Sequence, residues 1–132
     1  MTRLEMLKLY GKGRRRNPRR AFEAAIKKWS ELPSHVDELM DKGDASPHWP
    51  CAANCAMCYH AGVGLEGLDC NESDCIIKAK GLCGEDADIY EDAVRSLRSS
   101  NILGFEERCQ TMTRLLCLEY IKYLTKRKGI IK

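Results

Sequence analysis

The chain has 132 residues and eight cysteines. Six of the eight fall between positions 51 and 83, in the run Cys51-Ala-Ala-Asn-Cys55-Ala-Met-Cys58, then Cys70, Cys75 and Cys83. Thiolates bunched this closely do one of two things: they pair as disulfides or they bind a metal. Met1 to Tyr10 mixes charged and apolar residues without an unbroken apolar run, so no export signal is expected and the metal is favoured. Zinc takes four soft ligands in a tetrahedron, and a C-x-x-C pair supplies two of them from one tight turn. Cys55 and Cys58 form that pair. Cys75 and Cys83 are the expected remaining ligands, with Cys70 the first alternate and Cys51 the second. Gly62, Gly64 and Gly67 let the intervening chain turn back. His60 is near enough to ligate but reads as a neighbour of the site.

An iron–sulfur cluster is the alternative cofactor. The spacing Cys51-x-x-x-Cys55-x-x-Cys58 is similar to that of radical SAM enzymes. Only 74 residues follow Cys58, however, and they contain no Gly-rich cofactor segment and read as two helices. Cys109 and Cys117 lie inside a helical pattern and are expected to act as small core hydrophobes.

Charge is the second feature that could do chemistry. Residues 1–20 carry eight Lys/Arg and a single acid, and residues 93–132 carry nine Lys/Arg and three acids. Residues 51–92 carry nine acids and two lysines. The ends are basic and the cysteine-rich middle is acidic, although the net charge is only +3. Lys12, Arg14, Arg15, Arg16, Arg19 and Arg20 gather at the expected start of a helix, where the dipole is already positive. A bound phosphate or acidic surface would relieve that crowding. No aromatic residue interleaves with these arginines, so backbone contact is expected rather than base stacking. The acids Asp86, Asp88, Glu91 and Asp92 fit a helix start and a solvated face. His35, His48 and His60 read as scattered. No nucleophile elbow, P-loop, zinc-hydrolase helix or dinucleotide fingerprint is present.

The elements that must carry these groups are helical. Residues 2–10 can form a short helix with Leu4, Met6 and Leu7 on one side, ended by Gly11 and Gly13. Asn17 and Pro18 suit an N-cap and a first helical position. Phe22, Ala25, Ile26, Trp29 and Leu32 repeat at helical spacing until Pro33. Ser34 can cap a further turn or two that ends at Gly43. Residues 44–84 show no lasting period. A helix from about Glu85 directs Ile89, Tyr90, Ala93, Val94 and Leu97 inward, and Ser99 to Gly104 is a connection. The longest helix runs from about Phe105 to Lys126, with Phe105, Cys109, Met112, Leu116, Tyr120 and Tyr123 on one face. Leu118 and Ile121 depart to its polar side and suggest a homodimer through this helix.

The order Ala25-Ile26-Lys27-Lys28-Trp29, Cys55-Ala-Met-Cys58, Cys75-Ile-Ile and Cys83 resembles small cysteine-rich proteins encoded by bacteriophages, over roughly residues 21–97. That resemblance implies a phage-encoded protein acting in a host cell. In that group the later pair is C-x-x-C followed by proline. Here four residues separate Cys70 from Cys75 and Ile76 stands in the proline's place. The expected architecture is mainly α: a basic N-terminal arm over 1–20 and a helical zinc-binding domain over 21–132. The expected function is non-enzymatic binding of nucleic acid through the arm. The alternatives are a protein–protein factor that inhibits a host or defence complex, and an iron–sulfur redox protein. No segment is apolar enough to span a membrane, and a cytoplasmic location is expected.

Overall fold

A computed structural model describes residues 1–10, 18–50, 55–56 and 88–127. Among these the protein is mainly helical and contains no strand. Five α-helices appear: α1 (Arg3–Tyr10), α2 (Pro18–Glu31), α3 (Val36–Lys42), α4 (Asp88–Arg98) and α5 (Ile102–Arg127). Short 3-10 turns at Leu32–His35 and Gly43–Ala45 bracket α3. No helix is long and apolar enough to cross a membrane among the described residues.

The helix ends follow from local chemistry. Thr2 and Glu5 form a reciprocal capping box at α1: Thr2 Oγ1 accepts from the Glu5 amide at 3.2 Å, and Glu5 Oε1 accepts from the Thr2 amide at 3.0 Å. Pro18 opens α2, and Pro33 converts its end into the first 3-10 turn. Ser34 does not cap α3. Its hydroxyl turns back to the Glu31 carbonyl, and His35 stands at the start of α3 instead. Gly43, at φ +57°, ends that helix.

The connection between the last two helices is tighter than its sequence suggests, because α5 begins at Ile102 rather than Phe105. Ser100 sits at φ +58°. Its amide bonds to the Leu97 carbonyl and that of Asn101 to the Ser96 carbonyl, which closes α4 as a Schellman motif. Asn101 then caps α5, accepting from the Gly104 amide at 3.0 Å. A side chain at Gly104 would run into this cap, since a Cβ there would lie 2.5 Å from Asn101 Nδ2.

The core is built on α2 and α5. Phe22, Ala25 and Trp29 from α2 join Phe105, Cys109, Met112 and Leu116 from α5, with Ala93 and Leu97 from α4. The first helix packs differently from its sequence pattern. It buries Met6 and Tyr10 while Leu4 is 73% exposed, because Tyr10 shares the Met6 face one turn further on. Met1 is also buried, so the first ten residues belong to the packed body. Of the remainder of segment 1–20, residues 11–17 lie outside the described residues and 18–20 form the first turn of α2.

Two substitutions test the α4–α5 corner. Ser100→Gly relieves a left-handed non-glycine residue and is expected to add about 1 kcal/mol. Asn101→Ala removes the cap and is expected to cost about 1 kcal/mol. Urea melts of the two variants should move in opposite directions from wild type.

Candidate metal and anion-binding sites

Cys55 is the ligand of the expected set that the described residues include. It lies at 5% exposure, followed by the fully buried Ala56, and both join the main core. A metal held by this thiolate would be anchored directly to the hydrophobic body. Cys58, Cys75, Cys83, Cys70 and Cys51 lie outside the described residues, as does His60. Among the described residues no group of three or more His, Cys, Asp or Glu is placed to hold a metal. Pro50, the residue before Cys51, is tied down: Tyr90 of α4 donates to its carbonyl at 2.7 Å, and Trp29 meets Tyr90 edge-on at 6.3 Å.

The two cysteines of α5 lie in different surroundings. Cys109 is buried in the core, and burial pushes its thiol up to about 12, so it stays protonated at any physiological pH. Cys117 is half-buried on the flank of the same helix.

The basic cluster divides. Lys12, Arg14, Arg15 and Arg16 lie outside the described residues, while Arg19 and Arg20 are exposed in the first turn of α2. That turn carries no acid. Its surroundings were not legible in the local sequence. Phe22 stacks on Tyr120 with ring centroids 5.3 Å apart and meets Tyr123 at 5.8 Å. Tyr120 also bridges the two helices through its hydroxyl, which donates to Glu23 at 2.8 Å, and the nearby phenol raises the pKa of the exposed Arg19. The start of α2 is therefore fastened beside the end of α5. Arg19 and Arg20 come to the same end of the molecule as Lys122 and Lys126, both exposed. The negative pole of α5 lies beside the positive pole of α2, which offsets the cost of arginines in the first turn.

Of the acids, Glu91 and Asp92 are half-exposed on α4. Asp92 pairs with Arg95 at 3.2 Å and with Arg108 at 3.5 Å. The side chains of Asp86 and Asp88 lie outside the description. A groove of about 270 Å³ between α2 and α5 is lined by Trp29, Ser30, Pro33, Gln110, Thr113 and Arg114. These side chains include no acid–base pair.

The histidines correct the sequence reading, because two of them are not scattered. The 3-10 turns and α3 fold the chain back so that His35 and His48 stack with ring centroids 3.7 Å apart. Ser46 pins the turn, donating to Glu38 at 2.6 Å while its hydroxyl accepts from the His48 amide at 3.2 Å. His48 Nδ1 lies 2.9 Å from the amino group of Met1. The twelve residues between them carry no local signal for this pairing. Burial, the nearby amino group and His35 hold His48 below its ordinary pKa, against a smaller opposing pull from Glu38 and Glu5.

No family model matches the chain, and no curated protein or solved structure matches it either.

The histidine stack sets a pH dependence. The folded state holds His48 neutral to lower pH than the unfolded chain does, so the folded state binds fewer protons in that window. Its contribution is present above about pH 6.5 and is lost as pH falls through the lower folded value. The amino group of Met1 is shifted downward too, chiefly by burial, and acts in the same direction from about pH 8 downward. Thermal melts from pH 8 to pH 5 should show a falling midpoint. In His48→Gln the slope below pH 6.5 should flatten while the slope above it persists.

Proposed function

We propose that this chain is a non-enzymatic, zinc-stabilised helical protein that binds the phosphate backbone of nucleic acid. The observation that carries the reading is the fastening of two basic segments, remote in sequence, to one end of the helical body. Arg19 and Arg20 open α2, and Lys122 and Lys126 lie in the last turns of α5, the two helix ends that Phe22 and Tyr120 join; Lys122 pairs with Glu119 of its own helix. The first turn of a helix presents free backbone amides as well as its dipole, so cations there reinforce an existing anion site. Lys12, Arg14, Arg15 and Arg16 lead directly into that turn. A backbone interface of this kind is sequence-tolerant and strongly salt-dependent.

Zinc is proposed as the organiser of the cysteine-rich middle, with Cys55, Cys58, Cys75 and Cys83 as ligands. Support comes from the density of thiols and from the burial of Cys55 against the core. A structural site of this type is worth on the order of 10 kcal/mol of folding free energy, which matters in a chain of this size. A bacteriophage origin is part of the same reading, resting on the sequence resemblance alone.

Two measurements test the proposal. Elemental analysis of anaerobically purified protein should give about one zinc per chain by the four-ligand argument. Iron with sulfide would replace zinc by a cluster, and absence of metal would remove the cofactor. Fluorescence anisotropy with a short labelled DNA duplex should show affinity falling steeply with added salt. Arg19→Ala with Arg20→Ala, and separately Lys122→Ala with Lys126→Ala, should each lower the salt slope by about one unit per lost phosphate contact. Absence of binding at low salt would end the nucleic-acid reading. A loss confined to the first pair would restrict the interface to the start of α2.

A further inference from the structure

The outward face of α5 carries a pattern of its own. Its buried residues Phe105, Cys109, Met112 and Leu116 point into the core. On the opposite side Leu103, Glu107, Gln110, Arg114, Leu118 and Ile121 are all exposed. At 3.6 residues per turn these six positions form one nearly straight stripe along the helix. The stripe keeps large apolar side chains in water, with Leu103 78%, Leu118 47% and Ile121 55% exposed. Glu107 is 72% exposed and makes only a long contact of 3.9 Å to its neighbour Arg108. Arg108 itself is turned toward Asp92 of α4.

Four of the six positions pair off about one point of the helix. From a point between Gln110 and Thr111, Leu103 and Leu118 are equidistant. So are Glu107 and Arg114. We propose that α5 pairs with α5 of a second copy, antiparallel, about a two-fold axis at Gln110–Thr111. In that register Leu103 meets Leu118 of the second copy and Glu107 meets Arg114 of the second copy. Symmetry repeats both contacts on the other side of the axis, as an isologous interface requires. The residues that meet near the axis are uncharged, so no like charges face one another there. Glu107 and Arg114 are seven residues apart on one helix, too far to neutralise each other within a chain. Two copies satisfy both charges at once. A parallel pairing would set Glu107 on Glu107 and Arg114 on Arg114, which is repulsive. Charge order thus selects a second copy over an unrelated partner, and antiparallel over parallel.

Leu103, Glu107 and Leu118 lie across α5 from the buried face, while Gln110 and Arg114 also edge the groove against α2, so each variant's circular-dichroism melt is recorded beside its mass. Sedimentation equilibrium of the full chain at several concentrations should show the 15.0 kDa chain approaching twice its mass as concentration rises. Leu118→Glu should hold it at one mass, with an unchanged circular-dichroism melt. The single reversals Glu107→Arg and Arg114→Glu place like charges opposite one another and should each weaken association by about tenfold or more. The double reversal Glu107→Arg/Arg114→Glu restores complementarity and should recover most of that loss. A wild type that stays at one mass throughout overturns the proposal. So does a dimer in which the double reversal is no better than the singles, since the register would then be wrong.

Discussion

The stacking of Phe22 on Tyr120 and Tyr123 is the contact on which the rest of the described structure depends. It sets α2 antiparallel to α5 and fixes how far each has slid along the other. Burying a ring the size of Phe22 contributes about 2 kcal/mol, and an aromatic pair adds roughly a further 1 kcal/mol. The Tyr120 hydroxyl adds direction to this apolar contact, since it donates to Glu23. With that end registered, Trp29 arrives opposite Tyr90 of α4. Tyr90 in turn holds the Pro50 carbonyl, which leads into the cysteine-rich segment. Two aromatic contacts, both built on α2, thus hold α5 at the first turns of α2 and α4 near the end of α2.

Much of this was legible in the sequence where period and punctuation agree. Phe22, Ala25 and Trp29 announced the core face of α2, and Pro18 and Pro33 marked its ends. Phe105, Cys109, Met112 and Leu116 announced the core face of α5. The errors fall where a local pattern competes with a tertiary one. Leu4 looks like a core residue beside Met6 and Leu7, yet Tyr10 takes the buried position because it reaches further into the body. Thr2-x-x-Glu5 is a capping signature that was open to reading and names the start of α1. Ser99 to Gly104 suggested a loose connection because glycine and serine punctuate turns. Asn101 instead caps α5 and draws Gly104 into the helix.

The candidate sites were legible to different degrees. Thiol spacing and arginine density are visible in any window of sequence. Joining Glu23 to Tyr120 is not, because nothing local relates residues 97 positions apart. The same holds for His35 and His48, whose stacking depends on the two 3-10 turns around α3. Residue types gave the chemistry, and the long-range packing of α2 on α5 decided which of them act together.

That packing also fixes the order in which the protein can mature. Tyr120 and Glu23 are 97 residues apart, so the apolar face of α2 has only α1 to cover it when it is first synthesised. It waits until nearly all of the described chain has been made. Closing so long a loop is slow compared with forming a helix, and the exposed Phe22 and Trp29 face is open to wrong partners in the interval. The cysteine-rich segment lies inside that loop. A metal that gathers it early shortens the chain that remains to be closed, so metal capture before the arrival of α5 would hasten the last step of folding.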